Sequence, residues 1–226
     1  MQNKIPKEDL DYILESLKYD KEEDYKQIIS EKIIATVKDA NGNIIDKREQ
    51  KMRSLTQYFL ALISIAILGT YSGATGDTAT GILTNVFGLP SQVSTDCCGA
   101  INFDMQIQLG SGMQQFSPTL NGLKAIINYG TGKGQLNYED ENIYYNNNSI
   151  TISQSVLNKS GNTITVSEIG IQLLVEVVNS QYTGVITRYT TNIIKSYYIS
   201  YDTFSYPILI HNGDSATFEI VINFLG

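Results

Sequence analysis

Between residues 161 and 178 apolar side chains alternate with small or polar ones, and the alternation changes phase once. Ile164 and Val166 share one face of an extended chain. Ile169, Ile171, Leu173, Val175 and Val177 then take the odd positions, against Gly170, Gln172 and Glu176 on the even ones. An extra residue near Ser167-Glu168, a β-bulge, would keep both apolar sets on one core while bending the strand. A strand of this kind needs other extended segments to pair with, and the rest of the chain supplies them. From Ile101 to Leu109 the odd positions are apolar up to Gly110, and Ala216, Phe218, Ile220, Ile222 and Phe224 face away from Thr217, Glu219 and Asn223. Turn signals separate the segments: Asn41-Gly42, the Asn-rich run 145–149, Gln181-Tyr182-Thr183-Gly184 and Asn212-Gly213. Strands at this spacing, without helices between them, predict a mainly β fold, an antiparallel β-sandwich of jelly-roll-like form.

Two stretches break the β pattern. Residues 6–18 read as an amphipathic helix, with Pro6 in its first turn, Glu8, Asp9 and Asp11 at its positive end, and Leu10, Ile13, Leu14 and Leu17 at helical spacing. With the charged run 19–24 it forms an expected N-terminal helical arm over residues 1–32, packed on its own domain or docked on a neighbouring copy. Residues 33–226 form the expected β-sandwich domain. That domain opens with a hairpin at 33–48, whose Asn41-Gly42 suits a two-residue type I′ turn. Ser54-Leu55-Thr56-Gln57 has capping-box spacing and leads into a run apolar on every side, a predicted buried helix over 54–68 closed by Gly69. The run is shorter than the roughly 20 residues a membrane span requires. It imitates a secretory signal but follows a helix and a hairpin, so a core or interface helix is expected ahead of membrane insertion, and a cleaved signal last. Residues 70–99, rich in Gly, Ser, Thr and Ala, predict a long irregular connection with a short strand at 81–87.

Few kinds of chemistry survive inspection. The 226 residues carry a net charge of −7, and Lys and Arg do not cluster, which argues against direct binding of nucleic acid. Cys97 and Cys98 are neighbours without another cysteine to pair with, so they read as structural thiols, with pairing between subunits as the alternative. Asp39, Asn41 and Asn43 resemble the start of a calcium loop, but Ile44 stands where its glycine belongs and Gln50 where its closing glutamate belongs. Gly130-Thr131-Gly132-Lys133-Gly134 fails as a phosphate loop, because Ile127 replaces the first glycine and Gly134 the Ser or Thr after Lys133. His211 is the only histidine, which excludes a multi-histidine metal centre within one chain, and it reads as an exposed turn residue. Asp104, Glu139, Asp140, Glu141, Glu168 and Glu176 are available for paired-carboxylate glycoside chemistry, yet no Trp platform accompanies them. Glu168, at the suspected bulge, is expected to satisfy backbone donors. Asn147-Asn148-Ser149 and Asn158-Lys159-Ser160 match the glycosylation pattern, which matters only on a secretory route.

One resemblance runs through these residues. Asp39-x-x-Gly42 with Ile44-Ile45, then Arg48, then Arg53-Ser54 opening an aromatic-bearing helix, come first. Ile107-Gln108-Leu109-Gly110-Ser111-Gly112, Asn158-x-Ser160-Gly161 and Thr165-Val166-Ser167-Glu168-Ile169-Gly170 follow in order. Over residues 33–226 this succession resembles a family of virion structural proteins of tailed phages and archaeal viruses. The resemblance implies a component of the virion without enzymatic activity, whose partners are copies of itself and other virion proteins. No catalytic residue, metal ligand, cofactor or small-molecule substrate is expected, and membrane contact is not favoured. The expected assembly contacts are Leu10, Ile13, Leu14, Leu17, Tyr58 and Phe59. Fifteen Tyr in a polar-surfaced β chain suit half-buried contacts between subunits. The alternative is a carbohydrate- or receptor-binding β-sandwich module on a virion or cell surface, using exposed tyrosines and the loop 145–149. A glycosidase built on Glu168 comes third.

Overall fold

The computed structural model describes residues 29–52, 55–68, 100–117, 119–120, 122–183 and 187–224. The helix expected at 6–18 with Leu10, Ile13, Leu14 and Leu17, the run 19–24, the connection 70–99 with its strand at 81–87, and Cys97-Cys98 lie outside the described residues. Within them the alternating segments become β1 (Ile29–Lys38), β2 (Ile44–Met52), β3 (Ala100–Gly110), β4 (Asn137–Asn146), β5 (Ser149–Leu157), β6 (Ile164–Thr183), β7 (Thr187–Ile210) and β8 (Ser215–Phe224). The single described helix is α1 (Gln57–Leu68).

Two antiparallel sheets result, one of five strands in the order β2-β1-β8-β5-β4 and one of three in the order β3-β6-β7. Their alternating faces meet in one core: Ile33, Ala35 and Val37 of β1, Ile152 and Val156 of β5 and Phe218 and Ile220 of β8 join Ile107, Leu109, Val166, Ile169 and Ile171 from the smaller sheet. Burying each of these Ile, Leu, Val and Phe side chains stabilises the fold by about 1.5–3 kcal/mol. The mainly β class follows directly from that period of two.

The phase change in β6 is present, but most of the added chain is on the other strand. Val166 pairs with Ile208 and Glu168 with Thr203, so Ser167 alone stands opposite Phe204, Ser205, Tyr206 and Pro207 of β7. Pro207, unable to donate to a ladder, suits this excursion. Phe204 turns into the core against Phe218, with ring centroids 6.1 Å apart. The excursion also closes the seam between the sheets. Arg48 Nη1 donates to Tyr206 O at 2.7 Å, Gln50 Nε2 to Thr203 O at 2.8 Å, and Ser205 N to Gln50 Oε1 at 3.1 Å.

Two local expectations are corrected. The first hairpin does not use a two-residue type I′ turn: Gly42 N donates to Asp39 O and Asp39 N to Asn43 O, each at 2.9 Å, which makes a turn over 39–42 with Gly42 at φ +86°. Asp39 decides the geometry, because its carboxylate accepts from Asn41 N, Asn43 N and Asn43 Nδ2. Those bonds, the Asn43 side chain foremost, hold its carboxyl below the usual range. The helix also starts later than residue 54. Leu55 is still extended and bridges Ser200, and Thr56 is the N-cap, its Oγ1 accepting from Tyr58 N at 3.2 Å while donating to Tyr198 O.

Candidate functional site

The phase of β6 sends Glu168, Gly170 and Gln172 to the face of the smaller sheet that points away from the shared core. Gly170 pairs with Tyr201 and Gln172 with Tyr198, so two tyrosines share that face. An irregular strap, described over residues 111–117, 119–120 and 122–127, crosses it. Leu120 and Leu123 pack on Tyr198 and Tyr201 as a second apolar cluster. Backbone bonds pin the strap's ends, Ser111 N to Ala125 O and Ile127 N to Leu109 O, both at 2.8 Å.

Where the strap lies over the sheet, backbone N–H groups on its inner side need acceptors, and Glu168 supplies them. Its Oε1 accepts from Ala125 N at 2.9 Å and Gly112 N at 3.2 Å, and its Oε2 from Lys124 N at 3.2 Å and the Tyr201 hydroxyl at 3.3 Å. The side chain is fully buried. A Cβ at Gly110 or Gly112 would collide with this carboxylate, which explains glycine at both positions. The runs 107–112 and 165–170, separate in sequence, therefore meet at one node. Glu168 does what its position suggested, although its donors belong to the strap and not to the bulge. With both oxygens engaged and the residue enclosed, it has neither the access nor the free lone pairs to act as a glycosidase acid or nucleophile.

Two more polar groups are buried, of which Glu31 went unremarked in the sequence and Asn158 was read only for its pattern. Glu31 stands at an inward position of β1 beside Ile33 and Ala35. Its Oε2 accepts from Ser200 Oγ at 3.3 Å, and its Oε1 has no partner among the described residues. Burial pushes its carboxyl up to about 8, opposed by the Ser200 bond and assisted by Asp202, so it is mainly neutral at pH 7. The alternation itself carried the signal, since odd positions of β1 point inward. Asn158, half of an apparent glycosylation site, is buried. Its Nδ2 donates to Asn162 O and Ile210 O, each at 2.7 Å, and its Oδ1 accepts from Ser160 N at 2.9 Å, tying the 158–161 turn to the end of β7. His211 is exposed in a turn, its Nδ1 3.0 Å from Thr163 Oγ1.

Of the expected contact residues on described chain, Tyr58 and Phe59 are 8 % and 4 % exposed. Tyr58 lies against Tyr197 with ring centroids 4.8 Å apart, so α1 turns this pair into its own core and leaves little of either for a neighbour. Of the surface acids with described side chains, Asp104 and Glu141 lie close enough to interact. Glu141, half buried, is pushed up to about 7 by burial and secondarily by Asp104, while Glu139 is exposed. A concavity of about 320 Å³ lies along the β2–β7 seam, between Arg48, Gln50 and Phe204, and a polar one of about 400 Å³ between Ser30, Asn146–Ser149 and Asn223. Neither is lined by two carboxylates. Among the described residues no group of three or more His, Cys, Asp and Glu is placed to hold a metal ion, and no helix is long and apolar enough to cross a membrane.

Comparison with family models, with curated proteins and with solved structures returns no match, so any function has to be argued from this geometry.

Proposed function

We propose that this chain is a structural component of a virus particle, in capsid, collar or tail, and that it works by repeated contact between copies. In this reading the two sheets form a jelly-roll-like body, α1 is its buried helix, and the arm expected over residues 1–32 adds a further contact element. The observation that carries the reading is where large side chains are left uncovered. Tyr129, Tyr144, Tyr145 and Tyr206 are exposed, with Ile44 and Met113 among the exposed apolar residues. Tyr at a surface supplies contact area at low entropic cost and is favoured where proteins meet. The buried polar groups, by contrast, hold surface in place: Glu168 fixes the strap and Asn158 fixes a turn. Light scattering with hydrogen exchange tests the proposal. Association of the full chain, with protection gained at exposed tyrosine-bearing segments, is the expected result, and a stable monomer whose exchange does not change with concentration would remove it.

A carbohydrate- or receptor-binding role is the second reading. The polar concavity at Asn146–Ser149, with Tyr144 and Tyr145 exposed beside it, favours it. Glycan-array binding that is lost in Tyr145→Ala would select it over a purely architectural role.

A further inference from the structure

The five-stranded sheet ends on β4, and among the described residues β4 pairs with β5 alone. A strand end of this kind presents a row of unused N–H and C=O groups, which natural sheets guard with Lys, Pro or a covering element. At the other end of the sheet β2 has such guards: Lys47 and Lys51 are exposed, and Arg48 and Gln50 are tied to the β7 excursion. β4 carries no Lys, Arg or Pro, and instead has Ile143, Tyr144 and Tyr145 just before its last residue, Asn146. Among the described residues the opposite sheet has three strands against five. Ile143 and Tyr145, on the inward face by their pairing with Ile152 and Ile150, are left 38 % and 76 % exposed.

The backbone then states which groups are free. β4 and β5 join through the two-residue turn Asn147-Asn148, and such a turn closes on a hydrogen-bonded pair, here Asn146 with Ser149. The alternation of antiparallel ladders follows: Asn146, Tyr144 and Asn142 direct their backbone groups to β5, while Tyr145, Ile143 and Glu141 direct theirs to the open edge. The ladder is regular from Glu141 to Asn146 and bulged before it, where two residues, Glu139 and Asp140, stand opposite Ser155 alone.

We infer that β4 is the seam between two copies of this chain, paired antiparallel about a two-fold axis at Ile143 so that the two five-stranded sheets become one. This rests on the assembly reading above and names the surface that serves it. The register is self-complementary. Ile143 stands opposite Ile143 of the second copy, and Glu141 opposite Tyr145, each pair exchanging two backbone hydrogen bonds. Glu141 Oε1, which has no partner among the described residues, comes alongside a phenol. The acids at 139–141 of one copy avoid those of the other. The head-to-tail alternative places β4 parallel to β2 of the next copy, with the acids beside Ile44-Ile45 and the aromatics beside Arg48 to Gln50, which matches nothing.

Sedimentation equilibrium of the full chain, with far-UV circular dichroism as the check on folding, tests this. Ile143→Lys sets two like charges opposite each other at the axis, and Ile143→Pro removes the N–H that faces the second copy while sparing those that face β5. Each is expected to weaken self-association by about tenfold or more with the β signal retained. In the associated full chain Ile143→Cys is expected to cross-link copies through residue 143, located by peptide mapping. If the parent chain associates and Ile143→Lys associates equally, or cross-links form only through Cys97 and Cys98, the β4 seam is overturned while the assembly reading stands. A parent chain that never associates removes both.

Discussion

Replacing Glu168 by Gln preserves the shape of the node and changes its chemistry, which makes the expected loss calculable. The carboxylate only accepts, whereas the amide must donate from one end. Its oxygen is best kept at the Oε1 position, where Gly112 N and Ala125 N both donate. The NH2 then meets Lys124 N–H and the Tyr201 hydroxyl, of which only the hydroxyl can turn to accept. One buried donor left without an acceptor costs about 1–3 kcal/mol. Loss of charge assistance on the remaining bonds adds to this, and relief from burying a charge subtracts, so the net is about 2 kcal/mol. In a chain of this size that lowers Tm by about 4–8 °C. The melt should be accompanied by a local signature: faster exchange of the Gly112, Lys124 and Ala125 amides, with Ile107 and Ile171 unchanged relative to the global loss. A Tm within about 1 °C of the parent, with full protection at the three strap amides, would refute the view that Glu168 holds the strap.

Gly170→Ala should destabilise by about 1–3 kcal/mol in a denaturant titration, since its Cβ would come within 2.8 Å of both the Ser200 carbonyl oxygen and the Tyr198 ring. Glu31 gives a pH dependence whose sign is fixed. Its folded value of about 8 stands above the ordinary 4.5, so its contribution is fully present below about 4.5 and is lost as pH rises toward 8. Glu31→Gln should therefore flatten the stability profile across that window and gain most on the parent at its alkaline end, as read by urea midpoints. Asp104→Asn should lower the titration midpoint of Glu141 from about 7 without returning it to the ordinary range, because burial is the larger cause. Carboxyl NMR titration measures that shift.

The sheets were legible in the sequence because period-two alternation runs through β3 and β8 and, on either side of its phase change, through β6, and because Asn147-Asn148 closes its hairpin as its residue types suggest. What escaped were features set by partners distant in the chain. Thr56, and not Ser54, caps α1 because its hydroxyl also reaches Tyr198 O, a contact that no capping pattern encodes. Asp39 redirects the first hairpin through its own side chain, overriding a good Asn-Gly signal. The four-residue excursion at 204–207 lies ahead of the Asn212-Gly213 turn, in a stretch to which the sequence pattern assigned no element. Half of the Glu168 node could be anticipated: an acid at a phase slip must satisfy donors, but those donors are backbone groups of residues 112, 124 and 125, which leave no mark in side-chain chemistry. Tyr58 and Phe59 were aromatic residues on a helix apolar all round, and such a helix offers no way of telling an outward residue from an inward one until its sheet is in place.

The proposed role requires this β body to present surface to copies of itself. Cryo-electron microscopy of the assemblies formed by the full chain addresses it most directly. The account predicts ordered particles or oligomers in which every copy touches others through its exposed tyrosine-bearing elements, with the strap over Glu168 intact in each. Isolated copies with those elements facing solvent on all sides, under conditions where the chain is folded, would contradict it.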